Sequence, residues 1–201
     1  MMVMKGLKMD RTDNFEKYKI TKASTNKVVT NVYMDSFGIE KVRFQNVNYK
    51  DKNSIDCYLE FEEVALLATD AASGRLFKEL EASGKKVITM GGSKHSKIPS
   101  YNGAPESRIL SLGRMAKDNG DVTIFINMTR GKGKIGETGL IIPDGDPDLK
   151  ISVPVSIEKF RSMMIFIHDS VNAYLAHMVN GLVKQCIAER KAYEDSKNQQ
   201  N

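Results

Sequence analysis

At 201 residues, 41% of them apolar and 27% charged, the chain has the balance of an ordinary folded globule, and length for one domain or for one made of two similar halves. No segment approaches the ~18 apolar residues of a membrane span, residues 1–10 lack the apolar core of a secretory signal, and two cysteines, Cys57 and Cys186, exclude a disulfide framework and fit a reduced, cytosolic compartment. The net charge of +5 is unevenly spread: residues 1–83 carry 13 basic and 13 acidic residues, 84–134 carry 10 and 3, and 135–201 carry 7 and 9, so the excess sits in one quarter of the chain and points to a polyanionic partner or to a solvated basic surface.

In chain order, residues 1–16 show no periodicity and are expected to be disordered. Residues 27–34 read as a strand with Val28, Val32 and Met34 on one face and Lys27, Asn31 and Tyr33 on the other. Residues 39–49 are a second extended region, with Lys41, Arg43, Gln45 and Tyr49 in phase, and 55–61 alternate apolar and polar. A helix is predicted over 62–82, with Val64, Leu67, Ala68, Leu76 and Leu80 facing inward and a break at Ser73-Gly74. The second half repeats this pattern. A short strand at 87–90 is followed by a Gly/Ser/Pro-rich loop over 91–105, and strands at 108–117 and 121–129 are joined by an Asn119-Gly120 hairpin signal. Further strands fall at 139–143 and 149–155. Ser156 is a good N-cap for a helix from 157 to about 191, whose broad apolar stripe runs through Phe160, Met163, Met164, Ile167, Val171, Tyr174, Leu175, Met178, Leu182, Val183 and Ile187. Such a helix approaches ~50 Å, too long for this globule to cover, so its far end is expected to pack on another subunit. Residues 192–201 read as a disordered tail.

The two halves align 96 residues apart, Ile55-x-Cys57-x-Leu59-x-Phe61 beside Ile151-x-Val153-x-Val155-x-Ile157, each a period-2 strand passing directly into a period-3.6 helix. The expectation is an α+β domain over 17–191, made of two pseudo-repeats, 17–83 and 84–191, each four antiparallel strands plus a helix.

Residues 129–136, TRGKGKIG, contain a G-x-G-x-x-G. A dinucleotide loop needs a helix after it, and the glycines, prolines and β-branched run that follow cannot supply one. The segment is read instead as a flexible basic tip between two strands, with glycines that let backbone N–H groups approach phosphates. Within 121–129, Val122, Ile124, Ile126 and Met128 form the buried row, leaving Phe125 on a wet face with Thr123 and Asn127. Exposed rings near cations are what single-stranded nucleic acid needs, with stacking worth roughly 1–3 kcal/mol per base. The candidate binding residues are Phe125, Tyr33, Tyr101 and Phe44 for bases, and Lys94, Lys97, Arg108, Arg114, Arg130, Lys132 and Lys134 for phosphates, with Lys27 and Arg43 beside Tyr33 and Tyr49. For each ring taken singly, burial under a helix or a second subunit is the competing reading. Enzyme signals are weak. Asp144-x-Asp146-x-Asp148 lacks the glycine and glutamate of a calcium loop and reads as an acidic turn, and no nucleophile–base pair is visible. The chain is read as non-enzymatic, with no metal and no cofactor.

Strands then a helix, repeated, with LKISVPVSIEKFRSMMIFIHDSVNAYL at 149–175 closing the second unit, resembles the Whirly family of single-stranded DNA-binding proteins. The same segment is similar to the strand–helix end of the transcriptional positive cofactor four, and Whirly-like folds include kinetoplastid guide-RNA-binding proteins. The resemblance covers about 27–180 and rests on pattern. It implies two four-stranded antiparallel sheets, assembly through the helices as a dimer or tetramer, and nucleic acid bound over the sheets with little sequence readout. The Lys-Gly-Lys-Ala-type motif of plant Whirly proteins has no counterpart in the first repeat; Gly131-Lys132-Gly133-Lys134 is a similar string in the second. The expected function is sequence-independent single-stranded DNA binding in replication, recombination or repair, in a bacterial cell or a phage-infected host. RNA binding by the same fold, or a protein-interaction role for the long helix, stand as alternatives, and no membrane partner is expected.

Overall fold

The computed structural model describes residues 15–82, 87–92, 103–116, 118 and 120–198, with side chains outside 15, 87–92 and 192–198. A 3-10 turn at Phe15–Tyr18 leads into β1 (Lys19–Ser24), β2 (Val28–Tyr33), β3 (Lys41–Asn48) and β4 (Asn53–Glu60), an antiparallel sheet in the order β1-β2-β3-β4. Two helices follow, α1 (Phe61–Ser73) and α2 (Arg75–Ala82). The second sheet contains β5 (Val87–Gly92), β6 (Glu106–Ala116), β7 (Val122–Ile135), β8 (Ile141–Pro143) and β9 (Leu149–Ser156), and the chain ends in α3 (Ile157–Asn198). Strands β5-β6-β7-β9 form its four-stranded antiparallel body, and β8 adds a short fifth strand to the far end of β7. The architecture is α+β, with strands followed by a helix in each half.

The strand-to-helix junctions of the two halves are built alike. The Glu60 N–H donates to Glu63 Oε2 at 2.8 Å, and the Lys159 N–H donates to Ser156 Oγ at 3.1 Å, so each helix start satisfies a donor that has no intrahelical partner. Gly74, at φ 80°, ends α1 in the left-handed conformation that L side chains avoid; the helical break therefore falls at Ser73-Gly74, as its sequence predicts. Val64, Ala68, Leu76 and Leu80 are buried and Leu67 packs against the core.

One hydrophobic core joins both sheets and the base of α3. It takes Val32, Phe44 and Leu59 from the first sheet, Leu112, Ile126 and Val153 from the second, and Phe160, Met164 and Ile167 from the helix. Phe37, Phe61 and Tyr174 meet edge to face at 5.1–6.0 Å and tie α1 to α3. Between the sheets, the Asn46 amide donates to the carbonyls of Ile126 (2.9 Å) and Ile151 (3.1 Å) and accepts from Thr30 Oγ1 (2.6 Å). This fully buried side chain leaves none of its neighbours' polar atoms stranded.

Four features differ from the expectations. β1 is a strand that the sequence reading did not mark. β7 does not stop at Thr129 but runs through Ile135, so TRGKGKI is strand and not a flexible tip; the turn is at Gly136–Gly139, closed by the Gly139 N–H on the Gly136 carbonyl at 2.9 Å. α3 continues to Asn198 instead of ending near Lys191, which takes in most of the expected tail, and Phe15 and Glu16 belong to a 3-10 turn. Forty-two residues give α3 a length of about 63 Å. Its base is buried, but Leu175, Met178, Val179, Leu182, Val183 and Ile187 are exposed. Among the described residues no helix is long and apolar enough to cross a membrane.

Candidate nucleic-acid interface

Strand alternation sorts the expected binding residues onto different surfaces. On β7, Ile124, Ile126 and Met128 point into the core as predicted, and Arg130, Lys132 and Lys134 continue that phase beyond the core's end. Phe125 and Asn127 have the opposite phase. The phenyl ring and the Arg-Lys-Lys row therefore lie on opposite faces of one strand, contrary to the single surface expected for them.

Phe125 lies on the outer face of the second sheet. The ring is partly exposed, and its cross-strand partners are Gly113 on β6 and Pro154 on β9. Gly113 has no side chain and so adds none to that flank of the ring. Phe125, Asn127, Arg114, Met115, Lys150 and Ser152 line a concavity of about 670 Å³. Lys150 thus borders the aromatic ring on its own face, with an amide and a hydroxyl able to donate or accept beside it; Arg114, the register partner of Ile124, lines the concavity from the opposite phase. Arg114 is ion-paired to Glu81 at 2.8 Å; Lys150 is exposed. Lys150 and Ser152 were not singled out from the sequence. The signal that could have found them is the phase of LKISVPVS: with Ile151, Val153 and Val155 inward, Lys150 and Ser152 face the same way as Phe125.

The corresponding face of the first sheet is closed. Tyr33 is 4% exposed. The Arg43 guanidinium lies 4.2 Å over its ring, and the Tyr33 hydroxyl donates to Gln45 Oε1 at 3.3 Å. Burial pushes the Tyr33 hydroxyl above its usual pKa. Arg43 is itself held between carboxylates, to Asp35 at 2.7 Å and to Asp56 at 3.2 Å. Burial works against its charge, but the Asp35 and Asp56 carboxylates outweigh it and raise its pKa. Phe44, 2% exposed, points to the core face of the same sheet. Neither Tyr33 nor Phe44 offers a ring to a base, and Arg43 is neutralised within the fold. Lys27 is exposed in the β2 approach, where its carbonyl accepts the Tyr49 N–H at 3.0 Å. Tyr58, 40% exposed beside Arg43 on β4, is a ring on this face that water reaches.

The remaining cations gather at the far end of the second sheet. Arg108 is ion-paired to Glu106, and its Nη1 donates to the Asp56 carbonyl at 3.3 Å. Lys132 and Lys134 share Asp144, at 2.8 and 3.8 Å. The hydrogen bond from Lys132 holds the Asp144 carboxyl below its usual pKa. Arg130 carries a buried Nε with no hydrogen-bond partner. The glycines between these cations serve packing, not phosphate: a Cβ on Gly133 would lie 2.6 Å from Ile141 Cγ2 and 3.1 Å from the Ser107 nitrogen, and one on Gly131 would lie 3.0 Å from Pro147 Cα. The Gly133 N–H is already donated to the Pro105 carbonyl at 2.8 Å. Lys94, Lys97 and Tyr101 lie outside the described residues.

Comparison of the chain with protein-family models, with curated proteins and with solved structures finds no match.

Proposed function

We propose that the chain is a Whirly-like, non-enzymatic single-stranded DNA-binding protein with little sequence preference, acting in DNA replication, recombination or repair. The observation that carries this reading is the concavity lined by Phe125 and Asn127 on the outer face of the second sheet, where the partly exposed ring shares its face with the exposed Lys150. A ring accepts any base by stacking, because every base has a π-face, and the flanking cations hold phosphates without reading sequence. The local basic excess of residues 84–134 supports the same partner.

A fluorescence-anisotropy titration with labelled oligo-dT tests it. The expected result is affinity tighter than about millimolar at low salt, falling as salt rises. Phe125→Ala should weaken binding by the worth of one stacked base, about 1–3 kcal/mol or roughly 5- to 150-fold. Lys150→Gln should flatten the log affinity–log salt slope by about 0.7. Absence of binding, or binding indifferent to salt, overturns the reading. Competition with an RNA oligonucleotide of matched sequence decides between DNA and RNA, since only RNA carries the 2′-hydroxyl.

The same reading includes self-association. The exposed stripe on α3 repeats at helical spacing, with Leu175, Val179, Leu182 and Cys186 along one seam and Met178 and Val183 beside it, the pattern by which two helices interlock. A second copy presents the complementary stripe. Sedimentation velocity should give a dimer or larger for the native chain and a monomer for Leu182→Glu; a native monomer at tens of micromolar removes this part of the proposal.

A further inference from the structure

On the face of β7 away from Phe125, Arg130, Lys132 and Lys134 stand every second residue, about 6.8 Å apart at strand spacing, and one carboxylate, that of Asp144, counters two of them. We propose that this row is a second phosphate contact for the nucleic acid and that Asp144 is a built-in competitor for it, displaced when the polynucleotide binds. The inference rests on the nucleic-acid reading above and adds a surface and a regulatory residue to it.

Three observations support it. First, two cations share one carboxylate: Lys132 and Lys134 both turn to Asp144, at 2.8 and 3.8 Å. Arg130 Nε is sealed from solvent without a hydrogen-bond partner, so Lys132 and Lys134 are the members of the row that face an incoming phosphate. Second, the carboxylate is placed by the backbone. The Asp144 N–H donates to the Lys132 carbonyl at 2.9 Å, and Pro147, three residues on, lies against the side-chain-free face at Gly131. The acidic turn Asp144-Gly145-Asp146-Pro147-Asp148 is thereby laid alongside the strand, and a fixed carboxylate occupies the kind of position a phosphate would take. Third, the contact is weak enough to yield. The Lys132 and Lys134 side chains are 53% and 59% exposed, a setting in which water and salt screen an ion pair. The Lys-Gly-Lys alternation then has one physical purpose: glycines let the turn approach on one side, and lysines face solvent on the other.

The test is an anisotropy titration of the full-length protein with fluorescein-labelled dT30 across a salt series. Asp144→Asn should bind two- to fivefold more tightly than the native chain, and its log affinity–log salt slope should steepen by about 0.7 for each cation released to phosphate. Asp51→Asn, which removes an exposed carboxylate from the β3–β4 turn, should match the native chain and so rule out a general charge effect. In the background Lys132→Gln/Lys134→Gln the Asp144→Asn gain should vanish. Asp144→Ser serves as a second variant if the amide lowers the melting temperature. The proposal is overturned if both Asp144 variants behave like Asp51→Asn or bind more weakly at unchanged melting temperature. In that case a Phe125→Ala loss still upholds the main reading; a native chain that binds no oligonucleotide overturns both.

Discussion

The outer faces of the two sheets began as equivalent candidates, each with an aromatic ring among cations, and they differ in what answers the cations. On the first sheet Asp35 and Asp56 sit within 3.2 Å of Arg43, the guanidinium caps Tyr33, and the surface is complete without a ligand. On the second, Phe125 has a glycine on one flank and Lys150 stands exposed nearby. A ring and a positive charge on a strand therefore do not make a binding surface; carboxylates at the neighbouring positions decide whether the charge is spent on the fold or left for an anion.

The comparison breaks most visibly at Arg43. If its role is to close the first sheet, Arg43→Met should cost about 3 kcal/mol of stability, the lower end for breaking a buried pair because Asp56 keeps some access to water. Urea unfolding measures this. The affinity of Arg43→Met for oligo-dT should stay within twofold of native, whereas Phe125→Ala should do the reverse, losing affinity at nearly native stability. A large affinity loss in Arg43→Met at unchanged melting temperature would show that the first sheet is also a binding face.

A smaller effect, about 1–3 kcal/mol for overpacking, is expected for Gly133→Ala. Its Cβ would meet Ile141 Cγ2 at 2.6 Å and Ser107 backbone at 3.1 Å. Gly136→Ala is the control: its nearest neighbours lie at 3.4–3.6 Å, ordinary contact. If the glycines of this segment served close approach of phosphates, both substitutions would weaken nucleic-acid binding and neither would lower stability. Thermal melts and the same titration on each variant separate the two roles.

What the sequence disclosed and what it hid follow from the range of the interactions involved. The inward row Ile124, Ile126 and Met128, the helical break at Gly74 and the stripe on α3 are local periodicities, written within a few residues. The strand β1, KITKAS, has one large apolar residue, Ile20, and no clean alternation; its pairing with β2 makes it a strand. Tyr33 and Arg43 looked wet because Asp35 and Asp56 reach Arg43 from a turn and from the adjacent strand, a pairing that depends on register. The extension of β7 was concealed because glycines read as loop, while here each glycine admits a neighbouring chain. The opposition of Phe125 to Lys132 was legible in principle, since 125 and 132 differ by an odd number and alternate residues face opposite ways.

The same register argument separates the two cysteines, and with them a buried position of the first half from the protruding helix of the second. Cys57 occupies the place that Val153 holds in the other half, 5% exposed on the core face of β4, and burial pushes its thiol up to about 12. Cys186 is exposed on α3. In the folded Leu182→Glu variant, which leaves the α3 seam unpaired, a thiol-specific reagent at pH 8 should label one cysteine rapidly, Cys186, and the second only after denaturation, because the nucleophile is the thiolate and Cys57 has neither access nor ionisation. Peptide mapping after labelling checks the assignment. The pH dependence has a fixed sign. A folded-state pKa raised above the unfolded value means that the native state holds the proton more tightly, so the stability contributed by Cys57 is complete below the ordinary thiol range and is lost as pH rises toward about 12. Cys57→Val, which copies the residue of the other half, should remove that alkaline loss and leave neutral-pH stability within about 1.5 kcal/mol of native, as for other swaps that nearly conserve core volume. Rapid labelling of both thiols in the folded protein would mean that the edge strand β4 opens readily, and would undo the contrast between a closed first sheet and an open second one.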